Sequence, residues 1–137
     1  MQALTDMLIH RTPNTIRKPF ANYSHGVEVP ANARLIFTSG QLAVGLDDKI
    51  PQSTRAQADL CFDNIEKILA EAGMKMSDIV RINAYVTGRE HMAPYMAARD
   101  ARFGTPAPAS TLMIVSGFTR EEFTVEVEAT SAKIEDI

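Results

Sequence analysis

The chain has 137 residues, 45% of them apolar and 23% charged, which suits a single soluble domain over residues 1–137 with one proper core. Its net charge of −3 supplies no basic footprint, so nucleic acid is not expected as the main partner. No apolar run approaches the roughly 20 residues of a membrane span.

The expected elements follow in chain order. Met7 to His10 reads as a first edge strand that Pro13 closes off. Tyr23 to Val29 alternates weakly, Pro30-Ala31-Asn32-Ala33 has turn chemistry, and Arg34 to Ser39 is a further strand; the two strands are predicted to form a β-hairpin. Gly40 ends it, and Gly45 to Pro51 is a loop. Thr54 to Ala72 is the clearest helix. Thr54 is placed to cap it, with Gln57 in capping-box position. Ala58, Cys61, Ile65, Leu69 and Ala72 recur at spacings of three and four, and Gly73 stands where a left-handed cap belongs. Val80, Ile82, Ala84 and Val86 then face one way along a strand, with Arg81, Asn83 and Tyr85 facing the other. A second helix is predicted from His91 to Arg102, with Pro94 in its first turn. Gly104, Pro106 and Pro108 stop it. Ser110 to Val115 is β-branched and apolar. Phe123 to Ala129 alternates strictly, with Thr124, Glu126 and Glu128 outward.

This order argues an α+β fold, with a mainly antiparallel sheet and two helices covering one face. The other face, carrying Tyr85, Leu112 or Met113, should seek a partner, and a homo-oligomer of closed symmetry is the simplest one. The single cysteine, Cys61, excludes an internal disulfide and fits a reducing, cytoplasmic setting. It lies on the helix stripe and is expected to be a small buried residue, not a nucleophile. The start, MQALTDMLIHR, lacks the basic-then-apolar pattern of a leader. His10, His25 and His91 show no metal-ligand spacing, and no phosphate-cradling glycine loop is present, so no metal and no cofactor are expected.

Several stretches together resemble a known family. They are Tyr23-Ser24-His25-Gly26-Val27, Leu35-Ile36-Phe37-Thr38-Ser39-Gly40-Gln41, the helix AQADLCFDNIEKILAEAG, the strand DIVRINAYVT, Pro108-Ala109-Ser110-Thr111-Leu112 and Val125-Glu126-Val127-Glu128-Ala129. From about Asn14 onward the chain resembles the Rid family, also called YjgF or L-PSP. The resemblance implies a chorismate-mutase-like α+β fold and a homotrimer with clefts between neighbouring subunits. It also implies cofactor-free hydrolysis of reactive enamines and imines, released by pyridoxal-phosphate enzymes, to ketoacids and ammonia. Some members are described as ribonucleases or translation inhibitors, which this acidic sequence does little to support. Carried over by position, the cleft would hold Tyr23, Ser39, Gly40, Met96, Ser110 and Glu126. The deaminating subgroup has arginine at the position of Ser110, where it grips the substrate carboxylate, and commonly asparagine at the position of Met96. Both departures imply an altered substrate range.

The residue chemistry leaves two functions open. Glu126 in a partly apolar cleft would favour its neutral form, hold a water and shuttle a proton; as a structural carboxylate it would instead pair with a neighbouring subunit. Tyr23 would orient a substrate through its hydroxyl or serve as an interface aromatic. Ser39 and Ser110 can each donate one hydrogen bond. His25 is an acid–base candidate or an edge histidine, and Arg99 or Arg102 would supply the missing charge or lie on a solvated helix face. The first reading is a hydrolase of the imine deaminase type; the alternative is a non-catalytic trimer that binds a metabolite.

Overall fold

The strict alternation at the end of the chain builds the sheet. Phe123, Val125, Val127 and Ala129 are each at most 4% exposed, while Thr124, Glu126 and Glu128 lie half-buried on the opposite face. A computed structural model describes residues 7–135. The reading of MQALTDMLIHR as free of a leader pattern falls largely on residues 1–6, outside that range. The elements are β1 Ile9–Arg11, β2 Gly26–Glu28, β3 Ala33–Phe37, β4 Gln41–Leu42, α1 Thr54–Ala70, β5 Ile79–Val86, α2 Met92–Arg102, β6 Ala109–Ile114 and β7 Val125–Ile134. The main sheet runs β3-β7-β5-β6, with β4 pairing the start of β7; β1 and β2 form a separate two-stranded ribbon.

One expectation about pairing is overturned. β2 and β3 do not form a hairpin. Pro30 to Ala33 does turn the chain, with the Ala33 amide donating to the Pro30 carbonyl at 3.2 Å. Beyond the turn, however, β3 finds the far end of β7, from Ala33 opposite Ile134 to Phe37 opposite Thr130. β2 is taken by β1. The sheet is mainly antiparallel, as expected, with one parallel pair. β5 and β6 run parallel, because α2 is the crossover that carries the chain back to the same end of the sheet. The consecutive strands β6 and β7 are not neighbours, since β5 lies between them.

Both helices share their core with one face of this sheet. Phe62, Ile65 and Leu69 from α1 and Tyr95 and Ala98 from α2 pack with Ile82, Ala84, Val86, Val125 and Val127. The Phe62 ring lies 6.1 Å from that of Tyr95 and 6.0 Å from that of Phe103. Cys61 is buried on the same stripe; burial first, and then the Glu126 charge, push its thiol up to about 12, so it carries no thiolate at neutral pH. On β5 Ile82, Ala84 and Val86 join the core as expected, whereas Ile79 and not Val80 joins them at the start, because the register shifts by a bulge between Ile79 and Arg81.

The ends of α1 divide the expectations. Gly73 adopts a φ of 71°, its amide donates to Ala70, and the Met74 amide reaches back to Leu69, closing the helix as its position suggested. The N-cap, however, is Ser53, whose hydroxyl accepts from the Ala56 amide. Thr54 lies inside the first turn, where its hydroxyl meets His91 Nδ1 at 2.6 Å and Thr124 Oγ1 at 2.8 Å. Gln57 does not cap. It is fully buried and clamps three segments: its amide donates to the Pro51 and Glu122 carbonyls, and its oxygen accepts from the Thr124 amide and hydroxyl. Gln57→Ala strands several buried donors and acceptors at once. It is expected to cost about 2–4 kcal/mol, read as a lowered midpoint in urea unfolding.

The opposite sheet face has no covering layer among the described residues. Phe37, Met113 and Leu35 stand on it at 72%, 53% and 48% exposure, with Tyr85 between the acidic residues of β7. Leu112, expected here, instead pairs with Ala84 and packs into the helix-side core, because its parity along β6 is the inward one.

Candidate functional site

Glu126 occupies the open face of β7, opposite Tyr85 on β5 and Leu42 on β4. Gly40 arrives beside it, with Ser39 one residue earlier, because the chain passes from β3 into β4 along the same edge of β7. A Cβ placed on Gly40 would lie 2.7 Å from Glu126 Cδ and 2.8 Å from its Oε1. Only glycine leaves that carboxylate its position. The half-buried setting holds the Glu126 pKa above its ordinary 4.5, first through desolvation and then through the charge of Glu128. Glu128 in turn accepts from the Tyr85 hydroxyl at 2.5 Å.

The raised pKa has a consequence for stability. Between 4.5 and the higher folded value, the native state binds more protons than the unfolded chain. Stability therefore falls as pH rises through that window. Glu126→Gln removes the effect. Urea unfolding across pH is expected to show this variant gaining on the native chain toward neutrality, with the gap closing toward acid pH.

The remaining carried-over positions lie elsewhere. Ser110 pairs with Ile82, so it points to the helix side of the sheet, opposite to Glu126 and two strands away. Met96 is half-buried on α2 and packs against the core. Tyr23 stands by the entrance to β6, because Ser24 is bridged to Ala109 and its amide donates to Pro108. That attachment is reinforced by Ser24 Oγ, which donates to the Ala107 carbonyl and therefore accepts from His10 Nδ1 at 2.7 Å. The Tyr23 hydroxyl accepts from the Phe20 amide, and the ring lines a groove of about 480 Å3 with Lys18, Asn22 and Thr105. One chain thus presents two groups, Gly40 and Glu126 on one face, and Tyr23 and Ser110 toward the β6 edge.

The candidates for supplementary charge separate cleanly. His25 is tied down, with Nε2 at 2.8 Å from the Arg17 carbonyl. Arg102 is engaged by Asp63 at 2.7 Å and by the Asp59 carbonyl. Arg99 is only 4% exposed, contrary to a solvated helix face. The Tyr85–Glu128 pair was not singled out in the sequence; both residues show outward parity, but their proximity depends on β5 lying beside β7. Among the described residues no helix is long and apolar enough to cross a membrane.

The 2-iminobutanoate/2-iminopropanoate deaminase of Escherichia coli is 29% identical over 115 residues, covering 81% of this chain and 87% of that protein. A RutC family protein of Pyrococcus abyssi is 26% identical over 118 residues, covering 85% and 90%. The crystal structure of YyfB from Yersinia pestis, a Rid family protein of unknown function, superposes with a TM-score of 0.78 at 25% identity, over 90% of this chain and 97% of that one. The model of the Endoribonuclease L-PSP family matches residues 14–133, nearly the whole length, and the chain therefore belongs to that family, the Rid or YjgF proteins.

Proposed function

We propose that this protein is a cofactor-free hydrolase of the enamine/imine deaminase type, acting in the cytoplasm on a small molecule held in clefts between the subunits of a homotrimer. The observation that carries the reading is the Glu126 carboxyl, half-buried against Gly40 with its pKa raised. Desolvation and the Glu128 charge make this carboxyl hold a proton more readily than an exposed glutamate does, which suits it to take up and pass on a proton. As carboxylate it takes a proton from the water that attacks the imine carbon. It then gives that proton to the nitrogen, completing the carbinolamine; taking the carbinolamine's hydroxyl proton and passing it to the amine lets the C–N bond break, with carbonyl and ammonia as products. Ser39 and Tyr23 orient the substrate.

The division of the carried-over residues supports a shared cleft. Ser110 and Glu126 project from opposite sheet faces, so a pocket that contains both needs a second copy. The apolar open face with Phe37 and Met113 supports the same association. The relatives that act on 2-iminobutanoate and 2-iminopropanoate suggest the reaction class. Serine at 110 and methionine at 96 favour a second reading, a trimer that binds a metabolite without turnover.

Ammonia release from imines generated in situ, native chain against Glu126→Gln, tests the hydrolase. A native rate no higher than the variant's, with ligand binding retained, would leave the binding reading in its place.

A further inference from the structure

Tyr85, Glu126 and Glu128 stand together on the open face of the sheet. Tyr85 on β5 lies directly opposite Glu126 on β7, and Glu128 follows two residues along the same strand face, opposite Asn83. The Tyr85 hydroxyl does not serve the carboxyl opposite it. It crosses diagonally and donates to Glu128 Oε1 at 2.5 Å. All three side chains are half-buried. The two carboxyls are therefore alike in place and unlike in surroundings. Glu128 has a phenol donor. Glu126 sits against Gly40 and is governed by desolvation first and by the Glu128 charge second, with no hydrogen bond among the causes.

That asymmetry decides where a proton goes. A carboxylate that accepts a charge-assisted hydrogen bond keeps its charge more easily, and one that is desolvated without a donor gives it up more easily. Two carboxyls so close do not titrate independently, and the first proton goes to the member whose charge is less well stabilised. Here that member is Glu126. The phenol is a standing donor at neutral pH, because the bond to Glu128, then desolvation, then the charges of Glu128 and Glu126 hold it above its ordinary 10.0. Two other titratable groups reach the patch. Arg81, on the same face of β5, donates to Thr111 Oγ1 at 3.0 Å, and its charge pulls the Tyr85 phenol only partly back. Cys61, on the helix side, stays neutral, since burial and then the Glu126 charge push its thiol up to about 12. Glu128 is accordingly the charge that acts on Glu126.

We propose that Tyr85 is a positioning residue: through its hydrogen bond it fixes Glu128 as the charged member of the pair and leaves Glu126 as the carboxyl that takes up and releases the proton. The assignment of the proton stands without the hydrolase reading above; its use in catalysis rests on that reading.

The test follows the glutamate side-chain carboxyls of the isotopically labelled full chain by NMR titration, with Glu126→Gln identifying the resonance. In the native protein the Glu126 signal is expected to move in one step, above 4.5. Glu128→Gln removes the neighbouring charge and should bring that step down toward 4.5 but not to it, because desolvation, the larger cause, is untouched. Tyr85→Phe keeps the ring and withdraws the donor. Glu128 then competes for the proton, and the single Glu126 step should divide into two. In both variants kcat for imines generated in situ should fall about three- to tenfold with KM little changed, since Glu126 becomes the weaker base and neither altered side chain is assigned to the substrate. A merely structural role would lower the unfolding midpoint without dividing the step. A Glu126 titration in Tyr85→Phe that superposes on the native one would overturn the proposal, and so would a divided step with native kcat. A divided step where even the native chain releases no ammonia would keep the assignment of the proton and remove the hydrolase.

Discussion

Glu126→Gln is expected to lower ammonia release from imines by about two to four powers of ten, the usual worth of a positioned acid–base group. The amide keeps the outline of the carboxyl beside Gly40, so the pocket retains its shape. What it loses is the ability to accept and return a proton. The loss should therefore fall on kcat, with KM little changed. Circular dichroism and sedimentation should match the native protein, because the side chain is half-exposed and belongs to no core contact. The native pH profile of kcat should show an ionisation above the ordinary carboxyl value, the direction set by desolvation and by Glu128. A variant as active as the native chain would take Glu126 out of the chemistry.

Phe37→Asp is expected to dissolve the proposed homotrimer. Phe37 is 72% exposed on the open face, beside Leu35 and in line with Thr130 of β7. Covering such a ring contributes roughly 1.5–3 kcal/mol per copy. Over three copies that is about three to six powers of ten in the assembly constant, before the cost of burying a new charge. Sedimentation at micromolar concentration should show monomer, with the circular dichroism of the native fold. Ammonia release should vanish with the oligomer even though Glu126 is untouched. A trimer that survives the substitution, or a native chain that is already monomeric, would refute association through this face.

The parts of the fold that local pattern determines were legible from the residues. The apolar stripe of α1, the left-handed Gly73 and the alternation of β5 and β7 each depend on neighbours a few positions away. Pairing was less legible, because it depends on distant competition. A proline- and asparagine-rich turn between β2 and β3 looks like a hairpin until β7, about a hundred residues on, supplies a better partner for β3. The parallel run of β5 and β6 is set by the crossover through α2 and leaves no mark on either strand. Gln57 shows the same limit at the level of a side chain. Its capping-box spacing was real, but its partners Glu122 and Thr124 lie on another segment. In the candidate site, Glu126 and Gly40 were legible through the family resemblance. The depth of Arg99 was not, because α2 carries Arg99 and Arg102 within one turn and only the packed structure says which of them turns inward.

The strand at the middle of the sheet is also the last described strand to leave the ribosome. β3, β4 and β5 all pair with β7, so each waits, unsatisfied along one edge, until residues 125–134 have been made. Local helices and the β5–β6 pair can form earlier, but the full sheet cannot close before β7 emerges. Deleting residues 125–134 would therefore remove the partner of every other strand in the main sheet except β6, and a chain cut in this way should not fold.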